Sequence, residues 1–185
     1  MDHSLTRRTF AISGAPALAM FGLVSKTGLA APVVQSGGGI SGGGTVLADG
    51  SPGEFSVFGS RFLTDESDSP LFIGQLSYND VVAKMTVQSL EIVAYGPVEG
   101  QENTMRQMSG FASVNGAGKH PFNLILTDGG PIGSGLDHFT LTVGADGATE
   151  VTDPMLQVDS AVQAGDLALV DFDFGSSVAS PTPAG

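Results

Sequence analysis

Met105–Val143, MRQMSGFASVNGAGKHPFNLILTDGGPIGSGLDHFTLTV, decides the fold, because its period-two pattern is clean and both of its connections carry turn chemistry. It reads as three consecutive antiparallel strands. In the middle one His120, Phe122, Leu124 and Leu126 share a face, while Lys119, Asn123 and Thr127 take the other. In the last one Phe139, Leu141 and Val143 alternate with His138, Thr140 and Thr142, so one face is core and the other is wet. Asn115-Gly116 supplies the positive φ values of a tight hairpin, and the glycine-rich run from Gly129 to Gly135, with Pro131, forms a loop.

The same pattern extends upstream. Val33–Gly44, VVQSGGGISGGG, is expected to begin as a flexible lead over 32–39 and to join the sheet near Ile40 as a close-packed or bulged edge. Its glycine triplets do not form a nucleotide loop, since no helix pattern follows them. Ala48–Gly53 is a turn, and Glu54–Phe62 a strand with Phe55 and Val57 on one face and Phe58 and Phe62 on the other. The acidic stretch from Thr64 to Pro70 lacks the central glycine and closing glutamate of a calcium loop and reads as a hairpin tip. Phe72, Gly74, Leu76 and Tyr78 then share a face. Val81, Ala83, Met85 and Val87 are expected to point inward before Leu90, Ile92 and Ala94 take over on even numbers. A phase change at Gln88-Ser89 without a turn signal predicts a β-bulge or bend. Past Asp146-Gly147 the alternation is weak until a closing strand at Gly165–Phe172.

Composition narrows the chemistry. The absence of cysteine excludes disulfides, thiolate metal sites and a cysteine nucleophile. A formal charge of −12 leaves little to neutralise phosphates, so nucleic acid and anionic membranes are poor partners. Ser4-Leu5-Thr6-Arg7-Arg8-Thr9-Phe10-Ala11-Ile12 resembles a twin-arginine (Tat) export signal, with Arg7 and Arg8 as the pair. The apolar run from Phe10 to Val24 is broken by Gly14, Pro16 and Gly22, too short for a spanning helix of roughly 20 residues. A short signal helix followed by cleavage after Ala30 or Ala31 is expected, which delivers the chain to the periplasm or outside the cell with no membrane attachment once the signal is removed. Residues 175–185, rich in Ser, Pro and Ala, are expected to be a disordered tail.

Several blocks recur in a characteristic order: glycines from Gly37 to Gly44, then Ile73-Gly74-Gln75-Leu76-Ser77-Tyr78-Asn79-Asp80, Met85–Ser89, and Ser109-Gly110. Val114–Gly118, Thr127–Pro131 and Asp137-His138-Phe139 follow. The series, from about Ile40 to Phe172, resembles the small secreted bacterial β-domains called post-COAP. The resemblance implies an accessory or structural module without an established catalytic role. Related sequences often carry histidine where this chain has Gln88, which puts a shared histidine site in doubt.

Candidate chemistry is sparse. His120, on the core face, reads as a hydrogen-bonded structural histidine and His138 as a solvated one. Ser134 lacks the strand-to-helix elbow of a hydrolase nucleophile. With no Trp and two Tyr the domain is poorly equipped to stack on sugars. No cofactor is expected except a calcium ion, which Asp128 and Asp137 could hold together with carbonyls of the loop between them; capping of that loop by its own aspartates is the competing reading. The expected architecture is all-β, an antiparallel β-sandwich or flattened β-barrel of about eight or nine strands over 40–174. The expected function is an exported non-enzymatic structural or interaction domain, meeting an extracellular protein or surface component, in an oligomeric state the sequence leaves open. The alternative is a small β-barrel enzyme or a carrier of a lipophilic molecule in its interior.

Overall fold

A computed structural model describes residues 34–64, 67–131 and 134–173. The expected signal segment and C-terminal tail lie outside these residues. Nine strands are present among them: β1 (Val34–Ala48), β2 (Ser51–Thr64), β3 (Ser67–Asp80), β4 (Met85–Pro97), β5 (Met105–Val114), β6 (Ala117–Thr127), β7 (His138–Val143), β8 (Leu156–Ala161) and β9 (Ala164–Asp173). They form one antiparallel sheet in the order β8-β7-β6-β5-β4-β3-β2-β1-β9, a meander whose last strand returns to pair with the first. The sheet curls into a half-barrel. Phe55 of β2 and Tyr78 of β3 meet Phe139 of β7 across the interior, at ring-centroid distances of 4.4 and 6.2 Å. With Phe122, Leu124 and Leu141, all buried, they fill the inner face.

Two tight hairpins fix the register. Asp49 and Gly50 (φ 48° and 81°) join β1 to β2, and Asn115 and Gly116 (φ 52° and 76°) join β5 to β6, the positive-φ pairs a two-residue turn demands. Asn115 also exchanges backbone and side-chain hydrogen bonds with Thr86 at the start of β4, which ties that hairpin tip to the neighbouring strand.

Three expectations are corrected. The segment 32–39, read as a flexible lead, is already strand from Val34, and β1 is paired on both sides, not an edge. Its glycines admit backbone where a side chain would not fit: a Cβ on Gly42 would lie 2.1 Å from the Asp166 carbonyl oxygen of β9. Val81 and Ala83 do not point inward. Asp80, buried, accepts from the backbone N–H groups of Val82 and Ala83 through Oδ1 at 2.9 and 2.7 Å, and this Asx turn leaves Val81 and Val82 exposed. Finally, Leu90 is exposed, because the irregularity expected near Gln88 is realised as two register shifts, Ser89/Glu91 and Ile92/Ala94. The bulges bend β4 away from β3, which it pairs only over Ser77–Asp80, and carry Ile92 and Tyr95 over the inner face against Gly74 and Gly59.

Candidate functional site

The functional geometry collects where β9 meets the ends of β5 and β6. β9 is an outer strand of the sheet, so alternate backbone groups on it have no partner strand. Side chains from the far wall take their place. Asp137 Oδ2 accepts from Leu167 N–H at 2.8 Å, Asp128 Oδ2 accepts from Leu169 N–H at 3.0 Å, and two residues on, Arg106 Nη2 stands 4.0 Å from Asp171 Oδ1. The remaining carboxylate oxygens turn back on their own loop: Asp137 Oδ1 accepts from Gly129 N–H at 2.9 Å and Asp128 Oδ1 from Gly130 N–H at 3.1 Å. Toward the other end of the strands the curl is fastened by Leu47 N–H to Ser160 Oγ (3.1 Å) and Gln163 N–H to the Thr45 carbonyl (2.8 Å).

The structure therefore does bring Asp128 and Asp137 together, and each of their four oxygens accepts a backbone N–H. A third carboxylate, Asp166, is close enough that their charges, after burial, push its carboxyl above the usual range; its Oδ1 is enclosed and has no hydrogen-bond partner. Among the described residues no group of three or more His, Asp or Glu is arranged to hold a metal ion. His120 is buried, with Nδ1 at 3.0 Å from the Gly144 carbonyl. His138 Nε2 lies 2.7 Å from Asp159 Oδ1, and this contact, with the Thr140 hydroxyl, holds the Asp159 carboxyl below its usual value.

Beside the Asp171 end of this seam is a cavity of about 390 Å³ that sequence reasoning missed. It is lined by Gly37 and Gly38 of β1, Arg61 and Leu63 of β2, Tyr95–Pro97 of β4, Glu102 of the β4–β5 loop, Arg106 of β5 and Asp171 of β9. Only four basic residues follow position 31, namely Arg61, Lys84, Arg106 and Lys119, and two of them are here. Lys119 lies on the outer surface, 3.3 Å from Glu91 and over the Phe111 ring. Arg106 is 8% exposed and held by the carbonyls of Glu102 and Met105 through Nη1, at 2.5 and 2.9 Å. Arg61 Nε is enclosed without a hydrogen-bond partner, and the Tyr95 hydroxyl is enclosed beside the Arg106 guanidinium with no acceptor for its own proton. Burial pushes the Tyr95 phenol up to about 12 against the opposing pull of Arg106, so it remains a proton donor at neutral pH. Glu102 is turned toward its own loop, where the Gly100 N–H, at 2.8 Å, keeps its carboxyl ionised below the usual range. The signal that could have exposed this site is parity: Arg106 shares a face with Met108, Gly110 and Ala112, a cation in core register.

Comparison with known proteins finds no matching family model, no matching curated protein and no matching solved structure.

Proposed function

We propose that the chain is an exported, non-enzymatic structural or interaction domain whose contacts are made at its surface and ends. The observation that carries this reading is the filled inner face, where Phe55, Tyr78 and Phe139 touch across the half-barrel and Phe122, Leu124 and Leu141 close the space between them. An interior occupied by side chains favours an external partner over an enclosed lipophilic ligand. The resemblance of the order of blocks to that of post-COAP domains supports an accessory role, and the resemblance of the Arg7-Arg8 segment to a Tat signal supports export by that route. The partner is an extracellular protein or surface component, since the acidic charge disfavours nucleic acid.

Native mass spectrometry of the protein purified from the exported fraction tests both halves. The expected species is a bare chain beginning at Ala31 or Pro32, and replacing Arg7 and Arg8 together by Lys should leave the unprocessed precursor inside the cell. A retained lipid, or an N-terminus still at Met1 outside the cell, would remove the reading.

A further inference from the structure

At the mouth formed by Arg61, Tyr95 and Arg106, the last is held by the carbonyls of Glu102 and Met105, while the other two bring donors that no acceptor meets. Arg61 has no carboxylate in ion-pair range among the described residues, and its Nε is unpartnered. Tyr95, 5% exposed, holds its hydroxyl at the cavity beside Arg106, a group that can only donate, so the phenol O–H has no acceptor. Arg106 meets Asp171 only at 4.0 Å, beyond hydrogen-bond range, across a carboxylate that is 86% exposed. Buried donors left unpaired are costly, the more so when charged. We propose that this mouth binds the carboxylate of a small, partly apolar ligand.

The chemistry of the wall selects the class. Guanidinium groups match the planar, two-oxygen face of a carboxylate, and a phenol adds a third donor. Leu63 and Pro97 give the ligand an apolar flank, and about 390 Å³ suits a molecule of a few carbon atoms to the size of a short peptide end. A phosphate dianion is disfavoured because Asp171 and Glu102 line the same cavity and would oppose its second charge. The formal charge of −12 does not forbid a monoanion, since charges farther than about 8 Å are screened at physiological salt.

The carboxylate can belong to a free organic acid or to the C-terminus of a peptide, and titration of the ¹⁵N-labelled full chain by NMR separates them. The probes are butanoate, the tripeptide Ala-Ala-Leu, its C-terminal amide, and inorganic phosphate. Butanoate and the free-acid tripeptide should shift the amides of Gly37, Gly38 and Gly96 saturably, with a dissociation constant near 1 mM, about −4.1 kcal/mol. Tenfold tighter binding of the tripeptide points to peptide ends; equal binding points to free acids. Arg61→Gln should weaken binding at least tenfold and Tyr95→Phe severalfold, with Phe139 and Leu141 amides unmoved in both. Glycines that stay still with both carboxylates, shifts equally strong with phosphate or the amide, or unchanged binding in Arg61→Gln would overturn the site. Should Arg61→Gln fail to fold, unchanged binding in Tyr95→Phe has the same force. A retained lipid would remove the reading of the previous section and leave this site standing, and silent glycines would do the reverse.

Discussion

β6 and β1 are both interior strands, each hydrogen-bonded to two neighbours, yet they are built on opposite plans. β6 offers Phe122, Leu124 and Leu126 to the interior, all about 1% exposed, and keeps Asn123 outside. β1 carries glycine at 37, 38, 39, 42, 43 and 44 and fills space with its neighbours' backbones. The side-chain-rich wall supplies apolar burial, and the glycine wall admits neighbouring backbone where a side chain would not fit. Each contributes what the other lacks, so each should fail under a different kind of substitution.

The largest effect is expected on the side-chain wall. Phe139 is fully buried against the neighbouring rings of Phe55 and Tyr78 on the opposite wall, so Phe139→Ala removes a contact that joins the two walls. Urea unfolding should show a loss of about 3–5 kcal/mol, and a loss below about 1 kcal/mol would mean that the walls do not depend on that contact. On the glycine wall the sensitive change runs the other way. Gly42→Ala adds one methyl group that would sit 2.1 Å from a backbone oxygen, which only a shift of β9 can relieve, and should cost about 1–3 kcal/mol, toward the upper end. Gly96→Ala is the control: nothing lies within 4 Å of its Cβ position, and its expected effect is neutral or a gain of about 0.4–1 kcal/mol. Gly96 lies on β4, outside both walls, so equal losses at the two glycines would mean that close backbone approach is not what makes Gly42 sensitive.

The seam between the walls comes next. Asp137 is 5% exposed and receives two N–H groups, one from its own loop and one from β9. Asp137→Asn keeps the shape but turns one acceptor into a donor facing a donor. A loss of about 1.5–3 kcal/mol is expected, with faster amide exchange at Leu167 than at Leu141. Uniform exchange at the two amides would show that the carboxylate does not fasten β9.

The degree to which these features were legible follows the same division. β5 to β7 could be read directly, because alternating apolar residues and an Asn-Gly turn are local signals that tertiary structure reinforced. The bulges in β4 were announced by a change of parity, but their effect on Leu90 was not, since exposure depends on which strand lies opposite. β1 was misread as a lead because glycine carries no hydrophobic pattern, and the reason for those glycines lies in the main chain of β2 and β9. Of the sites, Asp128 and Asp137 were placed together by their flanking of one loop, while their use as substitutes for a missing strand required β9, some thirty residues away in sequence for Asp137. Arg61 stands in the register of Phe55 and Val57 as Arg106 does in that of Met108, but parity alone does not bring the two together with Tyr95, which needs the curl of the sheet.

The smallest effect tests how tightly β9 is drawn against its neighbours. Asp166 sits at the start of that strand, and burial together with the charges of Asp137 and Asp128 raises its carboxyl above the ordinary value of 3.8. A raised carboxyl is the reverse of the usual acidic case. Between that ordinary value and the higher value of the folded protein, the native state binds more protons than the unfolded chain, so this group adds stability as pH falls through the window. Above the window its charge is a standing penalty on the closed seam. Asp166→Asn removes the penalty without changing shape and should raise the melting temperature at pH 7 by a small amount that shrinks as pH approaches 4. An advantage that stayed constant from pH 7 to pH 4 would assign it to packing, and no gain at pH 7 would mean that water reaches the Asp166 carboxylate and that β9 stands farther from the opposite wall than its hydrogen bonds imply.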